Sequence, residues 1–250
     1  MFPFDQPTAA FAGLAIIAAS YIVFGITGFG ASLMTVPILS HFYPVPFVLA
    51  LACVLDLSCS VLMSWRRRSQ ADRSELTWIL PFSLIGATAG VTLLVSLPKT
   101  AIVIALGLFI ASYGAYSLFA PPPKGRVSRH WAPLAGFMGG ATGTMFGMGG
   151  PPVAIYITRR IVDKTKLLAT VSVGVGFNLA IRLVVFLAAG LLFEPELVPG
   201  LLLFGPAAVL GIVIGNRLHS TIPTAGLLKI VYGLLVFSGL SLVARNALFA

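Results

Sequence analysis

Gly143-Thr144-Met145-Phe146-Gly147-Met148-Gly149-Gly150-Pro151-Pro152 lies inside an apolar run from Ala132 to Thr158. At 1.5 Å per residue that run is roughly 40 Å of helix, more than one crossing of a 30 Å hydrocarbon core needs and too little for two. The glycine-rich break therefore predicts two half-helices that form a hairpin and return to their own side of a membrane. Glycine allows positive φ and close backbone approach. Pro151 suits the first turn of a restarting helix, where its missing N–H would be unpaired anyway. The free amides and positive dipole end of that helix, held away from water, favour an anion.

The same design recurs earlier as Gly25-Ile26-Thr27-Gly28-Phe29-Gly30-Ala31-Ser32. At an offset of 119, Gly28 pairs with Gly147 and Gly30 with Gly149. At an offset of 125, Pro81 meets Pro206, Gly86 meets Gly211, Gly90 meets Gly215 and Pro98 meets Pro223. Agreement at helix-breaking residues points to an internal duplication. The expected organisation is a first membrane repeat over 1–120, a linker over 121–131 carrying Pro121-Pro122-Pro123, and a second repeat over 132–250.

The rest of the chain fits lipid. With 58% hydrophobic and 9% charged residues, it has too few polar groups to cover a soluble globule of 250 residues. Apolar segments run near 9–43, 45–65, 77–97, 99–119, 132–158, 167–191, 197–217 and 224–245. They are continuous rather than alternating, which implies helices and excludes a membrane barrel. The net charge of +9 comes from basic residues flanking these segments, so it reads as an orientation signal and not as a nucleic-acid surface. Asp5 precedes the first segment where a leader would carry basic residues, so that segment is expected in the mature protein. Cys53 and Cys59 share one segment and are expected as reduced thiols.

Charge also sets the topology. If 9–43 and 132–158 were single crossings, the halves would be parallel, with eight basic residues inside and six outside. If both are hairpins, the halves are inverted and the inside set becomes Arg66, Arg67, Arg68, Arg73, Lys124, Arg126, Arg129, Arg159, Arg160, Lys164, Lys166 and Arg217, against Lys99 and Arg245 outside. The positive-inside rule selects the second arrangement. The expected fold is thus all-α and integral to the inner membrane. It has two inverted repeats, each with one broken hairpin and three full spans, and both termini lie outside.

Few ionisable residues fall within spans, where a charge costs roughly 3 kcal/mol or more: Asp56, Arg182 and Lys229. Asp56, at mid-span, is read either as a proton-carrying or counter-ion group or as a neutral carboxyl bonded to a neighbouring helix. Arg182 is read as binding the anion, pairing with Asp56, or snorkelling outward; Lys229 is read as snorkelling. Asn178, one turn before Arg182 on the same face, has the donors to hold an oxyanion or to join helices. Thr27, Ser32 and Thr144 flank the breaks and either line the site or bond back to their own helix. His41, His130 and His219 lack metal-ligand spacing, and neither a metal nor any other cofactor is expected.

The Gly28-Phe29-Gly30-Ala31-Ser32 run through Pro37, its echo Gly147-Met148-Gly149-Gly150-Pro151-Pro152, and the Gly86/Gly90 and Gly211/Gly215 pairs resemble the TauE/SafE family of membrane permeases over nearly the whole chain. The resemblance implies a secondary transporter of sulfite or an organosulfonate and assigns no fixed role to Arg182 or Asp56. The expected function is alternating access at a midplane site. Its binding residues would be Thr27, Gly28, Gly30, Ser32, Gly147, Gly149, Gly150, Pro151, Asn178 and Arg182, with Asp56 coupling transport to a proton or sodium ion. An anion channel and a small-carboxylate carrier are the alternatives. No metalloprotease or nucleotide-binding motif is present to support an enzyme or a pump. Lipid and a small anion are the expected partners, nucleic acid is not, and a dimer is the one assembly considered.

Overall fold

A computed structural model describes residues 7–27, 30–64, 71–119, 125–218 and 224–248. Asp5, Gly28, Phe29, Arg66, Arg67, Arg68, Lys124, His219 and Pro223 lie outside the described residues. Ten α-helices follow one another: α1 (Pro7–Thr27), α2 (Ala31–Leu39), α3 (Val45–Ser64), α4 (Arg73–Ser96), α5 (Lys99–Phe119), α6 (Ala132–Phe146), α7 (Gly150–Thr158), α8 (Lys164–Ala188), α9 (Leu197–Leu218) and α10 (Thr224–Leu248). A 3-10 turn, Arg129–Trp131, leads into α6. No strand occurs among the described residues.

Six of these helices are long and apolar enough to cross a membrane: α1, α4, α5, α8, α9 and α10. Their outward chains are apolar, with Leu108, Val184, Leu202, Leu210 and Phe237 all exposed. Buried positions include Ser32, Thr35, Asp56, Thr142, Asn178 and Arg182. Polar groups inside and apolar groups outside are what a lipid solvent demands.

Both expected breaks are present, but the two hairpins differ in length. In the second, α6 has 15 residues and α7 has 9. They are about 22 and 14 Å long, so each is shorter than the hydrocarbon core. In the first, α1 has 21 residues, which suffices for a full crossing, and only α2, with 9, is a half-helix. The expectation of two half-helices therefore holds for 132–158 and not for 9–43, where the break falls late in the run.

The described chain divides into two compact units, each drawing on both halves of the sequence. One comprises Met1–Leu55, Leu97–Ala120 and Phe193–Ala250; the other comprises Asp56–Ser96 and Pro121–Leu192. In the first unit, α1 packs on α9 and α5 on α10. A Cβ on Gly211 would stand 2.7 Å from the Ala18 carbonyl oxygen, and one on Gly215 would collide with that of Ile22. In the second unit, α4 packs on α6. There a Cβ on Gly86 would collide with the Phe137 carbonyl, one on Gly136 with that of Ile79, and one on Gly140 with that of Ser83. Helices in lipid gain no hydrophobic advantage from association, so backbone contact of this kind supplies the packing. The glycines paired at offset 125 thus do the same work in each unit.

Gly140→Ala pushes a methyl group into the α4 backbone, an overpacking cost of about 1–3 kcal/mol, and is expected to lower the melting temperature in detergent. Gly176→Ala, with nothing within 4 Å of the added carbon, is expected to leave it unchanged or raise it. The pair is compared by thermal unfolding of the purified protein.

Candidate functional site

The second unit contains the more fully determined break. Helix α6 ends on Gly147, whose φ of 76° is left-handed and accessible to glycine at little cost. Its N–H donates to the Gly143 carbonyl at 3.1 Å, and the Met148 N–H donates to the Thr142 carbonyl at 3.1 Å. The Thr142 hydroxyl lies 2.7 Å from the Met138 carbonyl and 3.0 Å from that of Met148, tying the loop back to the helix it leaves. The Thr142, Gly143 and Met148 carbonyls at the break thereby have partners within the protein. Thr142 was not singled out in the sequence, where a threonine in an apolar run carries no distinguishing signal.

The chain then turns back on itself. A Cβ on Gly139 would meet Val153 and the Gly149 carbonyl, and one on Gly143 would meet the Gly149 Cα, so α7 runs back alongside α6. Gly149 is needed for space, because a Cβ there would collide with Asn178 Oδ1. Gly150 has room, with only Val175 at 3.6 Å. Pro151 and Pro152 occupy the first turn of α7 and carry no N–H. The donors at this helix start are therefore fewer than the sequence reading implied: within that turn, the Gly150 amide precedes two positions that have none.

Asn178 packs against this break. It projects from α8 against Gly139, Gly143 and Gly149 and is only 5% exposed. Its Nδ2 is buried and has no hydrogen-bond partner among the described residues. Such a group costs about 1–3 kcal/mol when left unmade. Arg182 follows one turn later on the same face, 1% exposed, with its guanidinium 5.0 Å from the centre of the Phe186 ring. It is buried, and the ring face helps to stabilise its charge. Asp56, on α3, is also buried. Lys229 is exposed on α10.

In the first unit, α2 starts from Gly30, which has φ 92°. Leu33 N–H closes a tight turn onto the Gly30 carbonyl at 3.0 Å. Ala31 and Ser32 carry amides in this first turn, with no proline before Pro37. The Thr27 hydroxyl donates to the Val23 carbonyl at 2.8 Å, and that of Thr144 reaches the Gly140 and Ala141 carbonyls at 3.0 and 3.1 Å. Both threonines bond back along their own helices.

Sequence reasoning also passed over Glu75. Helix α4 starts at Arg73, earlier than the apolar run indicated, and carries Glu75 into a buried position, 3% exposed. Tyr156 donates to its Oε2 at 2.6 Å, while Arg160 donates to Oε1 at 2.8 Å through Nη2 and at 3.2 Å through Nε. Arg129 reaches the same oxygen at 3.3 Å. This carboxylate joins α4, the far end of α7 and the turn before α6. Beside it, Asp72 caps α4 by accepting from Ser74 N–H at 3.0 Å and pairs with Lys166 on α8 at 3.0 Å.

The family model described as "Sulfite exporter TauE/SafE" matches residues 12–242. The chain belongs to the TauE/SafE family. A "Probable inner membrane transporter protein TsaS" of Comamonas testosteroni is 31% identical over 193 residues, covering 77% of this chain and 81% of that protein. No solved structure matches. Within this TauE/SafE protein, the second break, Asn178 and Arg182 belong to one compact unit, together with the Glu75 cluster.

The hydrogen bond from Lys166 holds the Asp72 carboxyl below the usual carboxylate range. A depressed folded-state pKa stabilises the protein above the ordinary carboxylate value, and that contribution is lost as pH falls through it. Between about pH 5 and pH 3, the wild type is expected to lose more thermal stability than Asp72→Asn. At neutral pH the variant is less stable by about 1 kcal/mol or under, as suits a cap and a largely exposed pair.

Proposed function

We propose that this TauE/SafE chain is a secondary transporter of a small oxyanion, sulfite or an organosulfonate, in the inner membrane, and that it has no catalytic activity. The observation that carries the reading is Asn178: a buried amide packed against the glycine break, its Oδ1 beside Gly143 and Gly149 and its Nδ2, near Gly139, with no hydrogen-bond partner among the described residues. Pyramidal sulfite and tetrahedral sulfonate groups each present three oxygens. A side-chain amide, the Gly150 N–H and the positive end of α7 offer matching donors. Arg182, one turn along α8, contributes positive charge. Gly147, Gly149 and Pro151 shape the turn. The family description and the name of the 31% identical relative support the substrate class and the membrane.

Thr27, Gly28, Gly30 and Ser32 are the sequence counterparts of the second break, and the same anion-binding role is proposed for them on that equivalence. Inverted repeats, alternating access and termini outside rest on the matched glycines and on the charge count. Asp56, buried on the apolar helix α3, is the proposed coupling group for a proton or sodium ion.

Sulfite or a sulfonate is expected to raise the melting temperature of the purified protein, with sulfate and small carboxylates as comparators. Asn178→Asp keeps the shape and replaces donors with negative charge, and is expected to weaken binding about tenfold or more. Unchanged affinity in that variant would remove the site. Asp56→Asn is expected to abolish gradient-driven flux in proteoliposomes while substrate binding persists; driven flux at the wild-type rate would remove the coupling role.

A further inference from the structure

Outside the break, the α6–α7 hairpin carries a second feature on its outer side. Val127, Trp131, Leu134, Met138, Pro152 and Ile155 line an open groove of about 260 Å³, which ends at Tyr156 and Arg159. Trp131, Leu134, Met138 and Ile155 are all exposed along it. The groove follows α6 from Trp131 to Met138, about 10 Å of helix, the scale of part of an acyl chain. Apolar side chains along a membrane hairpin face hydrocarbon, so a chain of methylenes is the natural filling.

The lining at Arg159 has different chemistry. The neighbouring Arg160 and Arg129 are both engaged by Glu75. Arg159 is not in that cluster, and its Nε is buried with no hydrogen-bond partner among the described residues. Arg160 Nη1 donates to the Val127 carbonyl at 3.2 Å, which fixes the 127–131 turn beside this end of α7. Trp131 stands at the same end, and tryptophan favours the headgroup level of a bilayer. A guanidinium with an unused donor, an indole at the interface and an apolar trough together match one amphiphile. The guanidinium suits phosphate oxygens and the trough suits a fatty tail.

We infer that this groove binds an anionic phospholipid, its phosphate on Arg159 and one acyl chain along Trp131, Leu134 and Met138. The site is distinct from the glycine break and does not depend on the transported solute. A bound lipid would brace α7 at the end away from Asn178.

The test uses the full chain in nanodiscs of phosphatidylglycerol or phosphatidylcholine, with native mass spectrometry of retained lipid and thermal unfolding as readouts. The wild type is expected to retain phosphatidylglycerol and to melt higher in it. Arg159→Gln is expected to weaken retention about tenfold, the scale of one charge-assisted hydrogen bond, and Arg159→Lys to keep most of it. Met138→Trp fills the groove, leaves Arg159 in place, and is expected to lower retention as well; it decides the matter if Arg159→Gln does not fold. Wild-type retention in Arg159→Gln or in Met138→Trp overturns the site. So does equal stabilisation by inorganic phosphate in phosphatidylcholine, which would make the ligand a free anion.

Discussion

A helix interrupted within hydrocarbon exposes amides and carbonyls that no solvent can satisfy, and each unsatisfied group costs several kcal/mol. The architecture of the second unit is an answer to that constraint at Gly147. The left-handed turn takes up the Thr142 and Gly143 carbonyls of α6, and the Thr142 hydroxyl takes up the Met148 carbonyl of the loop. At the start of α7, Pro151 and Pro152 delete two donors outright. The Asn178 Nδ2, packed beside this break, has no hydrogen-bond partner among the described residues. Deleting backbone donors at the helix start lowers the number of buried groups that need a partner there.

The glycines divide into three kinds once their surroundings are known. Gly147 and Gly30 are there for backbone conformation. Gly86, Gly136, Gly140, Gly211 and Gly215 let one helix touch the backbone of another. Gly149 makes room for the Asn178 side chain. The sequence marks all of them alike, and only their surroundings separate the glycines that turn the backbone from those that let helices touch.

Helix existence was legible because spanning runs of apolar residues have no soluble alternative, and every expected segment is helical at close to its expected bounds. The breaks were legible because each carries a Gly-x-Gly inside an apolar run, at matched places in the two halves of the chain. Three things were not. The length of α1 depended on where within 9–43 the break fell. The compact units could not be read, because the glycine faces show that helices pack closely without showing which helix is the partner. Glu75 was hidden at a segment edge, where a carboxylate is ordinarily a solvated cap residue; only the convergence of Tyr156, Arg160 and Arg129 makes it a buried anchor.

That anchor bears on how a nine-residue helix can hold a site at all. So short a helix has marginal stability alone, and its dipole falls off within the terminal turns. Arg159 and Arg160 close its C-terminal end, where positive charge is favoured. Glu75 then fixes Tyr156 and Arg160 to α4 through hydrogen bonds of 2.6 and 2.8 Å. The buried Glu75 cluster thus fixes the C-terminal end of α7 to α4, and with it the path along which this short helix runs back beside α6 from the break.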